Sequence, residues 1–157
     1  MLNLILPQSA TNDSKIGKIN IAIFGIITTI TILRSIAHIF LPDGGANSIA
    51  TIIYFSGIPN PNNVIYFIFA LWGLSQLLLG IVFLVVLLKY RNLIPLMWII
   101  IFIEYTMRTI IGRFLKPLAD VYFVGTAPGE IGNYILVPIA AIMVTLSIWT
   151  IKKRKND

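Results

Sequence analysis

Cysteine is absent from the 157 residues, histidine occurs once, and only 11% of the side chains are charged. The lack of cysteine excludes disulfides, thiolate metal sites, iron–sulfur clusters and redox-active cysteine pairs. The single histidine, His38, argues against a bis-histidine haem and against a multi-histidine metal centre. Neither a glycine-rich phosphate loop nor a zinc-type spacing of histidines is present. The sequence therefore predicts neither a cofactor nor a bound metal.

Charge is scarce because 57% of the residues are hydrophobic. A typical soluble domain has about 25% charged residues. Each apolar stretch of this chain is close to or above the about 20 residues that cross a hydrocarbon core about 30 Å thick. The four stretches cover residues 19–40, 64–88, 93–114 and 132–151. The sequence thus predicts an all-α membrane protein, a four-transmembrane-helix antiparallel bundle that forms a single membrane domain over residues 1–157.

The formal net charge of +6 is distributed around the predicted spans. Lysine and arginine mark the cytoplasmic side of a membrane protein. Eight basic residues lie in the segment 1–18, between the second and third spans, and in the tail 152–157. At the other end of the spans the basic residues are only Arg113, at the end of the third span, and Lys116, just after it. This predicts a multi-pass protein of the plasma (inner) membrane with both termini in the cytoplasm. It favours membrane lipid over nucleic acid as the partner, and the tail is suited to anionic lipid.

The N-terminal segment lacks the features of a cleavable signal peptide. Met1–Leu6 is apolar but too short for an h-region, and no basic n-region precedes it. The first span is therefore interpreted as an uncleaved anchor.

Three of the four predicted spans carry polar side chains, where a lipid-facing helix has none. The i,i+4 spacing places Arg34 with His38, and Glu104 with Arg108, on one face of each helix. With a rise of about 1.5 Å per residue, these groups and Gln76 lie at overlapping depths in the outer half of the membrane. Ionisable groups inside a membrane mark candidate functional sites. The candidate ligand-binding residues are Arg34, His38, Trp72, Gln76, Glu104, Tyr105 and Arg108.

Two interpretations of this cluster remain open. In the first, an outward-opening pocket with two arginines against Glu104 binds a lipid-like or anionic small ligand, since arginine forks match phosphate and carboxylate groups. Trp72 and Tyr105 would hold the apolar part of that ligand. In the second, Glu104 and Arg108 form a purely structural ion pair and Arg34 extends to lipid headgroups. Arg113 and Lys116 are interpreted as interfacial anchors in both.

Other functions also remain open, and no catalytic residue is assigned. An intramembrane isomerase or lipid-modifying enzyme would use Glu104 and His38 as acid and base, although a non-enzymatic role is favoured. An accessory subunit or homo-oligomer would pack partner helices on small residues such as Gly73 and Gly80. In the first outer connection, residues 46–55 are expected to form a short interfacial helix.

Three segments of the sequence also resemble a known group of proteins. They read IFLPDGGANSIA from Ile39, FALWGLSQLLLGIVFL from Phe69 and EYTMRTIIGRFLKP from Glu104. This order is similar to small bacterial four-helix membrane proteins of unknown function in the DoxX-like neighbourhood, over roughly Ile19 to Lys116. The best-matching positions are Gly73, Gly80, Arg108, Gly112 and Arg113. The resemblance implies a four-helix bundle and supplies no activity.

Overall fold

The computed structural model describes the backbone of residues 5–156 and the side chains of residues 5–153. This part of the chain contains no β-strand, and its long helices are α1 (Lys18–Phe40), α2 (Asn62–Lys89), α3 (Ile94–Ile110) and α4 (Pro128–Asn156). Helices α1, α2 and α4 are each long and apolar enough to cross a membrane. Helix α3 reaches this length together with its flanking turns, Arg91–Leu93 and Ile111–Leu115. The predicted all-α fold with four apolar spans is confirmed.

The helix ends differ from the predicted spans for local reasons. Helix α4 begins at Pro128 rather than at residue 132, because proline at the first helical position has the required φ and no N–H to leave unpaired. Helix α3 ends at Ile110 and continues as a π-helical turn, in which the Lys116 N–H donates to the Ile111 carbonyl at 2.7 Å. Residues 1–4 of the predicted N-terminal segment and Asp157 of the predicted tail lie outside the described residues.

The bundle consists of two closely packed helix pairs. Helix α1 packs mainly on α2, and α3 packs mainly on α4, while contacts between the two pairs are sparse. Within the first pair, Gly73 and Gly80 allow close approach, since an added Cβ would lie 2.8 Å from the His38 Cβ and 2.9 Å from the Ile32 Cγ1, respectively. These glycines therefore pack α2 against α1 within the chain, so α1 covers the face that the sequence analysis offered to a partner helix.

The two ends of the bundle have different structures. At one end, here called the turn end, Tyr90 and the short turn Arg91–Leu93 join α2 to α3, and the segment before α1 contacts that turn through Thr11 and Asn92. The C-terminal part of α4 lies at this end as well, because Ser147 bonds to Asn20 near the start of α1. The opposite end, here called the loop end, is formed by the connections 41–61 and 116–127.

A buried polar network holds the two pairs together near the turn end. The Trp98 indole N–H donates to the Asn20 side-chain oxygen at 2.6 Å. The Asn20 amide in turn donates to Ser147 Oγ at 2.7 Å and to the Met143 carbonyl at 3.1 Å. Phe24 packs edge-on against Trp98, with ring centroids 5.7 Å apart. Asn20 thus connects α1 to both α3 and α4, with each polar group satisfied.

The two connections at the loop end are bonded to each other. The Val124 N–H donates to the Thr51 carbonyl at 2.8 Å, and the Ile53 N–H donates to the Tyr122 carbonyl at 3.0 Å. The expected interfacial helix over residues 46–55 is wrong: the chain forms turns up to Ala50 and then runs extended. Its backbone groups pair with the other connection, and this pairing replaces the hydrogen bonds that a helix would have supplied.

Asp43 organises the first of these connections. Its carboxylate accepts hydrogen bonds from the backbone N–H groups of Gly45, Asn47 and Ser48 at 2.7 to 3.1 Å, and from the Ser48 hydroxyl at 3.1 Å. Burial alone would raise the pKa of Asp43, but these four hydrogen bonds together lower it.

The lowered pKa of Asp43 predicts a pH dependence of stability. The carboxylate contributes stability above its unfolded pKa of about 3.9, and this contribution is lost as the pH falls through the lower folded value. We expect Asp43→Asn to melt at a lower temperature than the wild type at neutral pH, and to lose less stability between about pH 5 and pH 3. Melting curves in neutral detergent measure this. Parallel pH profiles for the two proteins would contradict it.

Candidate functional site

A chain of four polar side chains crosses from the first helix pair to the second. Arg34 on α1 donates from Nη2 to the Gln76 side-chain oxygen at 3.2 Å. Gln76 on α2 donates from Nε2 to Glu104 Oε1 at 2.9 Å. Arg108 on α3 donates from Nε to the same Glu104 oxygen at 3.0 Å and forms an ion pair with it through Nη2. We call these residues, Arg34, Gln76, Glu104 and Arg108, the polar chain.

Trp72 lies between the two arginines of the polar chain. The Arg108 guanidinium carbon is 4.8 Å from the centre of the Trp72 ring, and that of Arg34 is 5.3 Å from it. Arg108 also lies 5.2 Å from the centre of the Tyr105 ring. Cations at this distance are attracted by the negative face of an aromatic ring. Trp72 and Tyr105 therefore contact the charged groups directly.

His38 is bound to the loop end instead of to the polar chain. Its Nδ1 lies 2.7 Å from the Gly44 carbonyl, which only accepts, so the ring nitrogen is the donor. The ring packs against Trp72 with centroids 4.7 Å apart. His38 thus reaches the arginines only through the Trp72 ring, and within residues 5–153 no hydrogen bond joins it to Glu104.

The polar chain carries more positive than negative charge. Two arginines face one carboxylate, which gives a formal charge of +1. Across the described side chains, the Glu104–Arg108 contact is the only ion pair. Among the described residues the buried Arg34 Nε has no hydrogen-bond partner, and the Arg34 guanidinium contacts the Gln76 side chain and the Trp72 ring rather than a carboxylate. In the polar chain, Glu104 therefore compensates the charge of Arg108 within α3, and Arg34 on α1 has no carboxylate partner of its own.

A cavity of about 780 Å³ opens beside Arg108 at the loop end. It lies between the end of α3, the second connection and the first turns of α4. Its polar and charged lining residues are Arg108, Thr109, Arg113, Lys116, Asp120, Thr126, Glu130, Asn133 and Tyr134. We call this space the loop-end cavity. Its volume is in the range of small-molecule sites, about 300–1,000 Å³.

The cations of the loop-end cavity lie along the end of α3. Arg108 and Thr109 belong to its last turn, Gly112 and Arg113 to the π-helical turn that follows, and Lys116 comes directly after that turn. Arg113 additionally lies 5.0 Å from the centre of the Tyr134 ring on α4. The sequence analysis interpreted Arg113 and Lys116 as interfacial anchors and did not place them beside a cavity, because the spans alone do not predict where the second connection lies relative to the end of α3.

The structure divides the seven predicted site residues into two sets. Arg34, Gln76, Glu104 and Arg108 are joined by hydrogen bonds, with Trp72 and Tyr105 stacked on the arginines. His38 contacts this group only through Trp72. Arg108 alone of the seven lines the loop-end cavity. Arg108 is therefore the residue of the polar chain that also lines the loop-end cavity.

The site contains no arrangement suited to a metal ion. Over the residues that the structure describes, no group of three or more His, Asp or Glu side chains is close enough to bind one. Comparisons with protein-family models, curated proteins and solved structures give no match to this chain. The similarity to DoxX-like proteins therefore stays a prediction from the sequence.

Proposed function

We propose that this multi-pass membrane protein binds an anionic group in the loop-end cavity, with Arg108, Arg113 and Lys116 as its cationic contacts. The observation that carries the proposal is that two cations of the cavity lining, Arg113 and Lys116, form no ion pair within the described side chains, so both are available to a ligand. The third cation, Arg108, is already paired with Glu104. The remaining lining charges, two cations against Asp120 and Glu130, therefore sum to zero.

The ion pair within α3 prepares Arg108 for such a role. Glu104 and the rings of Trp72 and Tyr105 hold its guanidinium in place, so little side-chain freedom is lost when an anion binds. The planar fork of arginine also suits the oxygens of a phosphate or carboxylate. We further propose that the loop end faces the outside, since the flanks of the turn end carry most of the basic residues.

Binding of a short-chain anionic lipid tests the proposal. We expect dihexanoyl-phosphatidylglycerol to raise the melting temperature of the wild-type protein in neutral detergent, because a ligand that binds only the folded state stabilises it. The double variant Arg113→Gln/Lys116→Gln should lose most of this rise. The matched control Lys89→Gln/Arg91→Gln removes the same charge at the turn end and should keep it. An equal response of both variants would refute the proposed site.

A further inference from the structure

The loop-end cavity also indicates the chemical class of its ligand. We infer that the anionic group is the headgroup phosphate of a membrane lipid, whose chains lie against the neighbouring apolar sides of α3 and α4. This inference rests on the proposed function, since it names the source of the anion that the cavity binds. A free anion such as inorganic phosphate is the alternative source with the same headgroup chemistry.

The position of the cavity favours a lipid. Its lining combines the last turns of α3, through Arg108 and Thr109, with the first turns of α4, through Glu130 and Asn133. Both helices belong to predicted spans, so the cavity lies where the bundle leaves the hydrocarbon core. Lipid phosphates are found at this depth. A headgroup there reaches the cavity without leaving its own leaflet.

Exposed apolar side chains continue from the cavity along both helices. On α3 these are Met107 and Ile111, and on α4 they are Ile131 and Ile135, with 42% to 52% of each side chain exposed. Val124 lines the cavity itself and is 77% exposed. A soluble anion would leave this apolar surface uncovered, whereas lipid chains would cover it and gain the free energy of apolar burial.

The charges of the lining match a particular kind of headgroup. Arg113 and Lys116 supply donors for phosphate oxygens, while the carboxylates of Asp120 and Glu130 accept hydrogen bonds from hydroxyl groups. A headgroup of net charge −1 that carries hydroxyls, such as phosphatidylglycerol, complements both sets. Phosphatidylcholine has the same phosphate, but its trimethylammonium group carries no hydrogen-bond donor, so it offers the two carboxylates no hydrogen bond.

Three probes distinguish the lipid from a free anion. The apparent affinity of the full chain in neutral detergent is measured by melting titrations with dihexanoyl-phosphatidylglycerol, with glycerol 3-phosphate and with dihexanoyl-phosphatidylcholine. We expect the first to bind about tenfold tighter, or more, than either of the others. Arg113→Gln/Lys116→Gln should weaken its binding by about tenfold or more, since each charged contact contributes strongly. Lys89→Gln/Arg91→Gln, whose own melting temperature is recorded first, should bind as the wild type does.

The other outcomes separate the two proposals. If glycerol 3-phosphate binds as tightly as the lipid, and binding depends on Arg113 and Lys116, the inference of a lipid ligand is refuted while the proposed anion site is supported. If phosphatidylcholine binds as tightly as phosphatidylglycerol, and Arg113→Gln/Lys116→Gln binds both as the wild type does, apolar contact alone explains binding and both proposals fail. Both also fail if the two double variants bind phosphatidylglycerol equally well.

Discussion

Replacing Glu104 with glutamine is expected to lower the free energy of unfolding by about 2–3 kcal/mol. Removing one partner of a fully buried ion pair costs about 3–5 kcal/mol, because the other charge is left uncompensated. The side chains of Arg108 and Glu104 are 21% and 20% exposed, so the expected cost is somewhat smaller. The amide still accepts a hydrogen bond, but Arg34 and Arg108, which both lie near the Trp72 ring, would then have no counter-charge in the polar chain.

Reversible unfolding in mixed detergent measures this change, with Ile30→Val as the control. Ile30 is 54% exposed on α1, and a substitution on such a surface changes stability by only about 0.5 kcal/mol. The double variant Glu104→Gln/Arg108→Gln should lose less than the sum of the two single variants, since no cation is left unpaired on α3. Equal stability of Glu104→Gln and Ile30→Val would contradict a stabilising role of the Glu104–Arg108 ion pair.

The membrane fold is predictable from the sequence because each span is set by a local property. Apolar runs of sufficient length end at breakers such as Pro42 and Pro117, and the structure places helices over all four runs. The polar chain is partly predictable for the same reason: the i,i+4 spacing of Glu104 and Arg108 fixes their contact on one helix. The contact of Gln76 with Glu104 depends instead on how two helices are rotated, which spacing within one helix does not determine.

The loop-end cavity is not predictable from the spans alone. Its lining includes residues of the π-helical turn that begins at Ile111, and Val124, whose N–H pairs with the Thr51 carbonyl of the other connection. The pairing of Thr51 with Val124 joins parts of the chain that are distant in the sequence. Residues 46–55 illustrate the difficulty, since their composition suits an interfacial helix while their backbone pairs with the second connection. The proposed site therefore includes Arg113 and Lys116, which the sequence analysis interpreted only as interfacial anchors.

Substituting Gly73 by alanine is expected to destabilise the bundle by about 1–3 kcal/mol, the usual effect of overpacking a tight contact. The added Cβ would lie 2.8 Å from the His38 Cβ and 3.1 Å from the Ser35 carbonyl oxygen. Neither atom is the movable end of a side chain, so α1 and α2 must separate. Because Trp72 and Gln76 lie on the same part of α2, this separation would also weaken the Arg34–Gln76 hydrogen bond of the polar chain.

Two further glycines give a graded comparison in the same assay. At Gly80 the added Cβ would lie 2.9 Å from the Ile32 Cγ1, a side-chain atom that shifts more easily than backbone, so the expected loss is smaller. At Gly132 on α4 nothing lies within 4 Å, and alanine should stabilise the helix by up to about 1 kcal/mol through its higher helix propensity. The expected order of stability is Gly132→Ala above wild type, then Gly80→Ala, then Gly73→Ala. If Gly73→Ala were as stable as Gly132→Ala, helix propensity would outweigh packing, and α1 and α2 could not be as close as described.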